Sequence, residues 1–196
     1  MTVLLIILVA YLIGSIPFGL VGKVFFKIRD PRTFGSKNIG ATNILRSGNK
    51  KAAAFTLFFD MLKGILAVLI TSYIDKDVVY VAILSVVFGH IFPIYLLFRG
   101  GKGVATFLGA VLSYSAVVGS LTLLTWISMF YLTKKSSVAG ISSIVLSNFF
   151  LFLFCDDNSI KIAVLFLSIF ILFKHSENIK RLLKKEELSF EGRDKN

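Results

Sequence analysis

VATFLGAVLSYSAVVGSLTLLTWISMFYLT, running from Val104 to Thr133, decides the fold. It holds about 30 residues, too many for one straight crossing of a hydrocarbon core roughly 30 Å thick and few for two. Read as one helix, it gives a chain of six membrane spans. Read as a hairpin turning at Ser113-Tyr114-Ser115, it gives seven. Long apolar runs flank it: Val3 to Phe26, Ala52 to Ile74 and Val78 to Phe98 before it, and Val138 to Phe154 and Ile160 to Phe173 after it.

Charge separates the two counts. With seven spans, one side of the membrane receives Lys27, Arg29, Arg32, Lys37, Arg46, Lys50, Lys51, Arg99, Lys102, Lys134, Lys135 and the basic segment from Lys174 onward. The other side receives Asp75, Asp77, Asp156 and Asp157, with only Lys76 and Lys161 as cations. Basic loops belong on the cytoplasmic side; with six spans Lys134, Lys135 and the basic tail fall outside. The sequence therefore predicts an all-α polytopic membrane protein, a single domain over 1–196 with seven transmembrane helices, N-terminus outside and C-terminus cytoplasmic. Two helices from the deciding stretch average roughly 15 residues, or about 22 Å at 1.5 Å per residue. Helices that short leave the cytoplasmic loops sunk below the interface, where irregular backbone must line a polar cavity.

Composition excludes the competing classes. A hydrophobic share of 56% with mean hydropathy +0.81 is more than a soluble domain of this length needs. The net charge of +11 raises nucleic acid as a partner, but the cations sit in loops rather than along one face, and no zinc-type spacing or basic zipper accompanies them. Cys155 is the only cysteine, so neither an intrachain disulfide nor an all-cysteine metal site is possible. Met1 to Ala10 lacks the basic flank of a cleaved signal and reads as the start of a retained first span.

The polar clusters all fall on the expected cytoplasmic side. Arg99-Gly100-Gly101-Lys102-Gly103 is a glycine loop with two cations before a helix start at Val104, a cradle for phosphate or, more plainly, a connecting loop. Gly35-Ser36-Lys37-Asn38-Ile39-Gly40-Ala41-Thr42-Asn43-Ile44-Leu45-Arg46 offers hydroxyl and amide groups with a planar guanidinium fork, or caps the next helix. Asp60 and Lys63 stand three apart on one helical face and can neutralise each other, so a structural role is expected. His90, ahead of Pro93, reads as a packing residue. Ser137 stands near a helix start and reads as a cap or an anion ligand. His175 and Asn178 share a face at i and i+3, suited to phosphate oxygens or hydroxyls. The carboxylates are too scattered to hold a divalent metal, so neither metal nor cofactor is expected.

In chain order these motifs, with Tyr11-Leu12-Ile13-Gly14-Ser15-Ile16-Pro17-Phe18-Gly19 ahead of them and Arg181-Leu182-Leu183 behind, make the sequence similar to the bacterial membrane acyltransferases that acylate glycerol-3-phosphate from acyl-phosphate. The resemblance runs from about residue 11 to 187. It implies Ser36, Arg46, Lys102, His175 and Asn178 as catalytic, with Asn38, Asn43, Gly100, Gly101, Gly103 and Ser137 binding substrate. Asp60, Lys63, His90 and Glu187 take structural roles. Two departures stand out: Lys37 and Lys185 each occupy a position where the family usually has glycine. The implied partners are acyl-phosphate, glycerol-3-phosphate, membrane lipid and a soluble enzyme that makes acyl-phosphate; the implied place is the bacterial plasma membrane, with the site facing the cytoplasm. No Ser-His-Asp ordering or His-x4-Asp motif marks a covalent nucleophile. Two other classes fit less well. A transporter for a phosphorylated solute would gather polar groups at midplane and show repeat halves. A lipid-binding scaffold would leave four ordered motifs without a use.

Overall fold

The computed structural model describes residues 1–190, which are helical with no strand among them. α1 (Thr2–Ser15) and α2 (Phe18–Phe25) break at Pro17, which has no N–H to give, and together make one apolar span. The short α3 (Ala41–Leu45) lies in the following polar segment. α4 (Lys50–Ile74) starts where the Asn49 side chain accepts from the Ala52 amide at 2.9 Å. α5 (Val79–Ile91) is extended at both ends by single 3-10 turns to cover Lys76 to Leu96. After the glycine loop come α6 (Val104–Tyr114), α7 (Ala116–Thr133) and α8 (Ser136–Phe154). α9 (Asn158–Lys174) and α10 (Ser176–Leu183) are bent 58° from each other at His175.

Five of these spans are long and apolar enough to cross a membrane, and six if α9 with α10 counts as one. The deciding stretch is a broken pair of helices, not one helix. The break falls on Ser115 alone, whose hydroxyl accepts from the Val118 amide and so starts α7. That lies inside the turn expected at Ser113-Tyr114-Ser115, and it leaves α7 with 18 residues and α6 with only 11, about 16 Å, which is short of a crossing. α6 is held along α4 by reciprocal close approaches: a Cβ on Gly64 would lie 2.2 Å from the Thr106 carbonyl oxygen, and one on Gly109 2.1 Å from that of Met61. Small residues that let backbones touch are the usual glue of helices in lipid, where burial of apolar surface gives no net drive.

The packed centre is apolar, with Ile83, Val86, Val87, Phe107, Ile144 and Leu167 fully buried. Leu124, Leu132, Phe152, Ile162 and Phe173 point outward and are largely exposed, as a lipid-facing surface requires. The chain reversals place the start of α4, the end of α5, the start of α6, the α7–α8 turn and the α9–α10 bend at one end of the bundle. The acidic turns at Asp75 and Asp156 sit at the other.

Candidate active site

The segment before α4 is organised by one buried side chain. Asn43 accepts from the Ser36 amide at 2.9 Å and donates to the carbonyls of Pro31 at 2.7 Å and Asn38 at 2.9 Å. Its amide is thereby spent on the loop's own backbone. Asn43, expected among the substrate-binding residues, is the hub that shapes the loop and also lines the cavity. Ser36, Asn38 and Arg46 line the cavity that this loop borders, and the Ser36 hydroxyl has no protein partner among the described residues. Lys37 has φ 57°, a left-handed conformation that favours glycine, which accounts for the glycine usual at this position.

The glycine loop works differently from the expected amide cradle. The Gly100 amide donates to the Ile91 carbonyl at 3.2 Å and the Gly101 amide to the His90 carbonyl at 3.1 Å. A Cβ on Gly100 would sit 2.1 Å from the His90 carbonyl oxygen, and one on Gly101 2.1 Å from His90 Nε2. Gly100 and Gly101 are therefore packing residues seated on His90, and neither lines the cavity. Lys102, Gly103, Val104 and Ala105 do line it. The first internal bond of α6 runs from the Phe107 amide to the Gly103 carbonyl, so the amides ahead of it remain for an anion.

His90 in turn stands 3.5 Å from Asp60 through Nδ1, and Asp60 pairs with Lys63 at 2.8 Å. Lys63 also donates to the Ile16 carbonyl at 3.1 Å, tying α4 to the end of α1. This buried trio links three spans and carries the glycine loop on its edge. Asp60 and His90 also touch the cavity wall, which spacing along the chain did not reveal.

From the other side come the α7–α8 turn and the α9–α10 bend. His175 is buried, and its Nδ1 lies 2.8 Å from the Ile171 carbonyl, an acceptor only, so Nδ1 carries the proton. Nε2 is thus left facing Gly140 and the cavity. Asn178 accepts from the Lys102 ammonium through Oδ1 and donates through Nδ2 to Glu187 Oε1 at 2.6 Å. Ser137 donates to the same carboxylate oxygen at 2.8 Å, and Arg181 Nε to Oε2 at 2.8 Å. Ser137 therefore does not cap α8; its hydroxyl is committed to Glu187. Burial alone would raise the Glu187 pKa, but the bonds from Asn178, Ser137 and Arg181 outweigh it and hold the carboxyl below its usual range. Lys102 goes the other way. Burial, with help from Arg181, Arg46 and Lys174, brings its pKa from 10.5 down to about 8, Glu187 opposing.

These groups share one cavity of about 220 Å³. Ser36, Asn38, Arg46, Lys102, His175 and Asn178 form its polar half. Leu57 and Met61 of α4, Leu108 of α6 and Leu123, Trp126 and Ile127 of α7 form an apolar half. A model of the glycerol-3-phosphate acyltransferases matches residues 4–185. The chain belongs to that family. Among curated glycerol-3-phosphate acyltransferases, that of Bartonella quintana is 41% identical, covering 97% of this chain and 93% of its own length. That of Pelagibacter ubique is also 41% identical, covering 95% and 97%. Two crystal structures of PlsY, an integral membrane glycerol 3-phosphate acyltransferase, superpose closely. The glycerol 3-phosphate form gives a TM-score of 0.90 at 36% identity, covering 96% of each chain. The lysophosphatidic acid form gives 0.87 at 35%, covering 96% and 95%. An acyltransferase of this family is thus an integral membrane enzyme, and phospholipid biosynthesis is its setting. Sequence reading left Arg181 out of the site, although it follows His175 and Asn178 at the same three-residue interval. Of the segment after α10 it picked out only Glu187, and not Leu188 and Ser189, whose carbonyls accept from Arg46.

Proposed function

We propose that this acyltransferase moves a fatty acyl group from acyl-phosphate to glycerol-3-phosphate, giving lysophosphatidic acid and inorganic phosphate. The observation that carries the reading is the single two-faced cavity: Arg46, Lys102 and the α6 start at one end, an apolar channel between α4, α6 and α7 at the other. Two phosphate-bearing substrates and one acyl chain need that combination. The glycerol hydroxyl oxygen bonds to the acyl carbonyl carbon, the bond from that carbon to phosphate oxygen breaks, and the hydroxyl proton leaves with phosphate. Acyl-phosphate arrives activated, so positioning and charge stabilisation are the enzyme's main tasks. Arg46, Lys102 and the amides at the start of α6 supply the charge; Ser36, Asn38, His175 and Asn178 hold the substrates. Gly103, at φ 88°, gives the turn that aims Lys102 and α6 at one point.

We also propose that α6 completes a seventh, shortened crossing, with the N-terminus outside and the site at the cytoplasmic face. The basic loops clustered at the site end and the acidic turns at the other support this. In a bacterial plasma membrane that face is open to a soluble enzyme making acyl-phosphate. The deciding assay uses purified protein in detergent with labelled glycerol-3-phosphate and acyl-phosphate, acyl-CoA or acylated carrier protein as donor. Lysophosphatidic acid formed from acyl-phosphate alone, unaffected by EDTA, supports the proposal. Turnover only with a thioester donor, or none in the absence of a sealed compartment, defeats it.

A further inference from the structure

The segment that follows α10 crosses the site and ends on the far side of it. α10 closes in a Schellman motif: the Glu186 amide donates to the Arg181 carbonyl at 2.8 Å and the Lys185 amide to that of Leu182 at 3.1 Å, with Lys185 at φ 61°. The chain then runs back as a strap. Its carbonyls at Leu188 and Ser189 accept from Arg46, through Nη2 at 3.1 Å and Nε at 3.0 Å. Two bonds from one edge of a planar guanidinium fix its plane and leave the remaining N–H groups for a ligand. The far end of the strap is held by Phe190. Its amide donates to the Lys134 carbonyl at 3.2 Å, and its ring stacks on Phe130 with centroids 4.2 Å apart and planes 14° apart. Phe130 stacks in turn on Trp126, at 4.7 Å and 15°, and Trp126 is cavity wall. Phe190 itself does not line the cavity.

We propose that Phe190 is a positioning residue for phosphate recognition: by pinning the strap on Phe130 it holds the two carbonyls that aim Arg46 into the cavity. This rests on Arg46 serving a substrate phosphate, as proposed above. A bare arginine has several rotatable bonds and spends entropy on each capture. An arginine already gripped along one edge spends less, so releasing the strap should weaken phosphate binding while leaving the reacting groups in place.

The test compares Phe190→Ala and Phe190→Tyr in the purified enzyme, alone and in an Arg46→Lys background. A lysine cannot make the planar two-carbonyl contact, so the strap has nothing to aim there. Expected is a glycerol-3-phosphate KM raised about tenfold in Phe190→Ala with kcat within threefold, and near-normal KM in Phe190→Tyr, which keeps the ring. In the Arg46→Lys background, Phe190→Ala should add less than twofold. Trp126 is the only tryptophan, so its fluorescence gives the dissociation constant of glycerol-3-phosphate without turnover, and this constant should follow KM. If Phe190→Ala does not fold, Phe190→Leu, which keeps apolar bulk without the stack, takes its place with the same expectation. An unchanged KM in the variant, or effects that multiply in the double variant, overturn the proposal. Those results are read in an active wild-type enzyme; a wild type inert towards acyl-phosphate instead defeats the proposed function itself.

Discussion

Raising the pH should weaken glycerol-3-phosphate capture through one identifiable group. Lys102 sits among Arg46, Arg181 and Lys174 in a half-buried position, and its pKa lies at about 8. The ammonium form binds a phosphate dianion and the neutral amine does not, so capture is complete below that value and lost above it. The charged fraction falls from about nine-tenths at pH 7 to about one-tenth at pH 9, and apparent affinity falls with the competent fraction, roughly tenfold. The floor lies lower still, because a hydrogen bond to a charged group contributes about 1.5–3 kcal/mol, some 10- to 100-fold. The substrate does not confound this, since a phosphomonoester with a second pKa near 6 is already a dianion over the range. kcat/KM for glycerol-3-phosphate reports the free enzyme and should bend near pH 8. kcat should hold to higher pH, because the bound dianion pushes the Lys102 pKa back up. Initial rates from pH 6.5 to 9.5, corrected for spontaneous acyl-phosphate hydrolysis, test both limbs. Lys102→Ala should start at least tenfold lower and lose the bend. A wild-type profile flat to pH 9.5, or a bend that survives in Lys102→Ala, would refute the assignment.

Other consequences are more direct. Ser36→Ala should cost more activity than Ser137→Ala at equal folded fraction, because the Ser36 hydroxyl has no protein partner among the described residues while that of Ser137 is committed to Glu187; the reverse order would make the Glu187 contact the more important of the two. Lys185→Gly should raise the thermal midpoint, since a non-glycine residue at left-handed φ costs about 1–2 kcal/mol and the added backbone freedom of glycine returns only about 0.5–1; Lys37→Gly should do the same, and a lower midpoint in both would mean that the lysine side chains carry contacts outweighing the strain. His175→Asn should raise the glycerol-3-phosphate KM more than it lowers kcat, if His175 holds the substrate; normal KM with no detectable turnover would make His175 the general base.

What could be read from the sequence, and what could not, divides by the range of the interaction. Hydropathy and loop charge are summed along the chain, so the all-helical membrane class, the break inside 104–133 and the gathering of polar motifs at one end were all visible there. The turn within Ser113-Tyr114-Ser115 was visible too, but not which of the three residues breaks the helix, because that depends on the Ser115 hydroxyl accepting from the Val118 amide. The glycine loop shows the same limit more sharply. Three glycines beside two cations look like a phosphate cradle, and Lys102 and Gly103 do face the cavity. Yet Gly100 and Gly101 are glycine for another reason: His90, about ten residues earlier, occupies the space a Cβ would need. Asn43 shows the limit too, since a polar amide in a polar loop gives no sign that it bonds the loop's own backbone as well as lining the cavity. Lys37 and Lys185 close the point. Both stand where the family usually has glycine, and their left-handed backbone shows why glycine is usual there; it places them at the turns that set Ser36 on one side of the cavity and the Arg46-binding strap on the other. Residue type announced the chemistry of this site; the division of labour within it is written in backbone geometry, which no local pattern records.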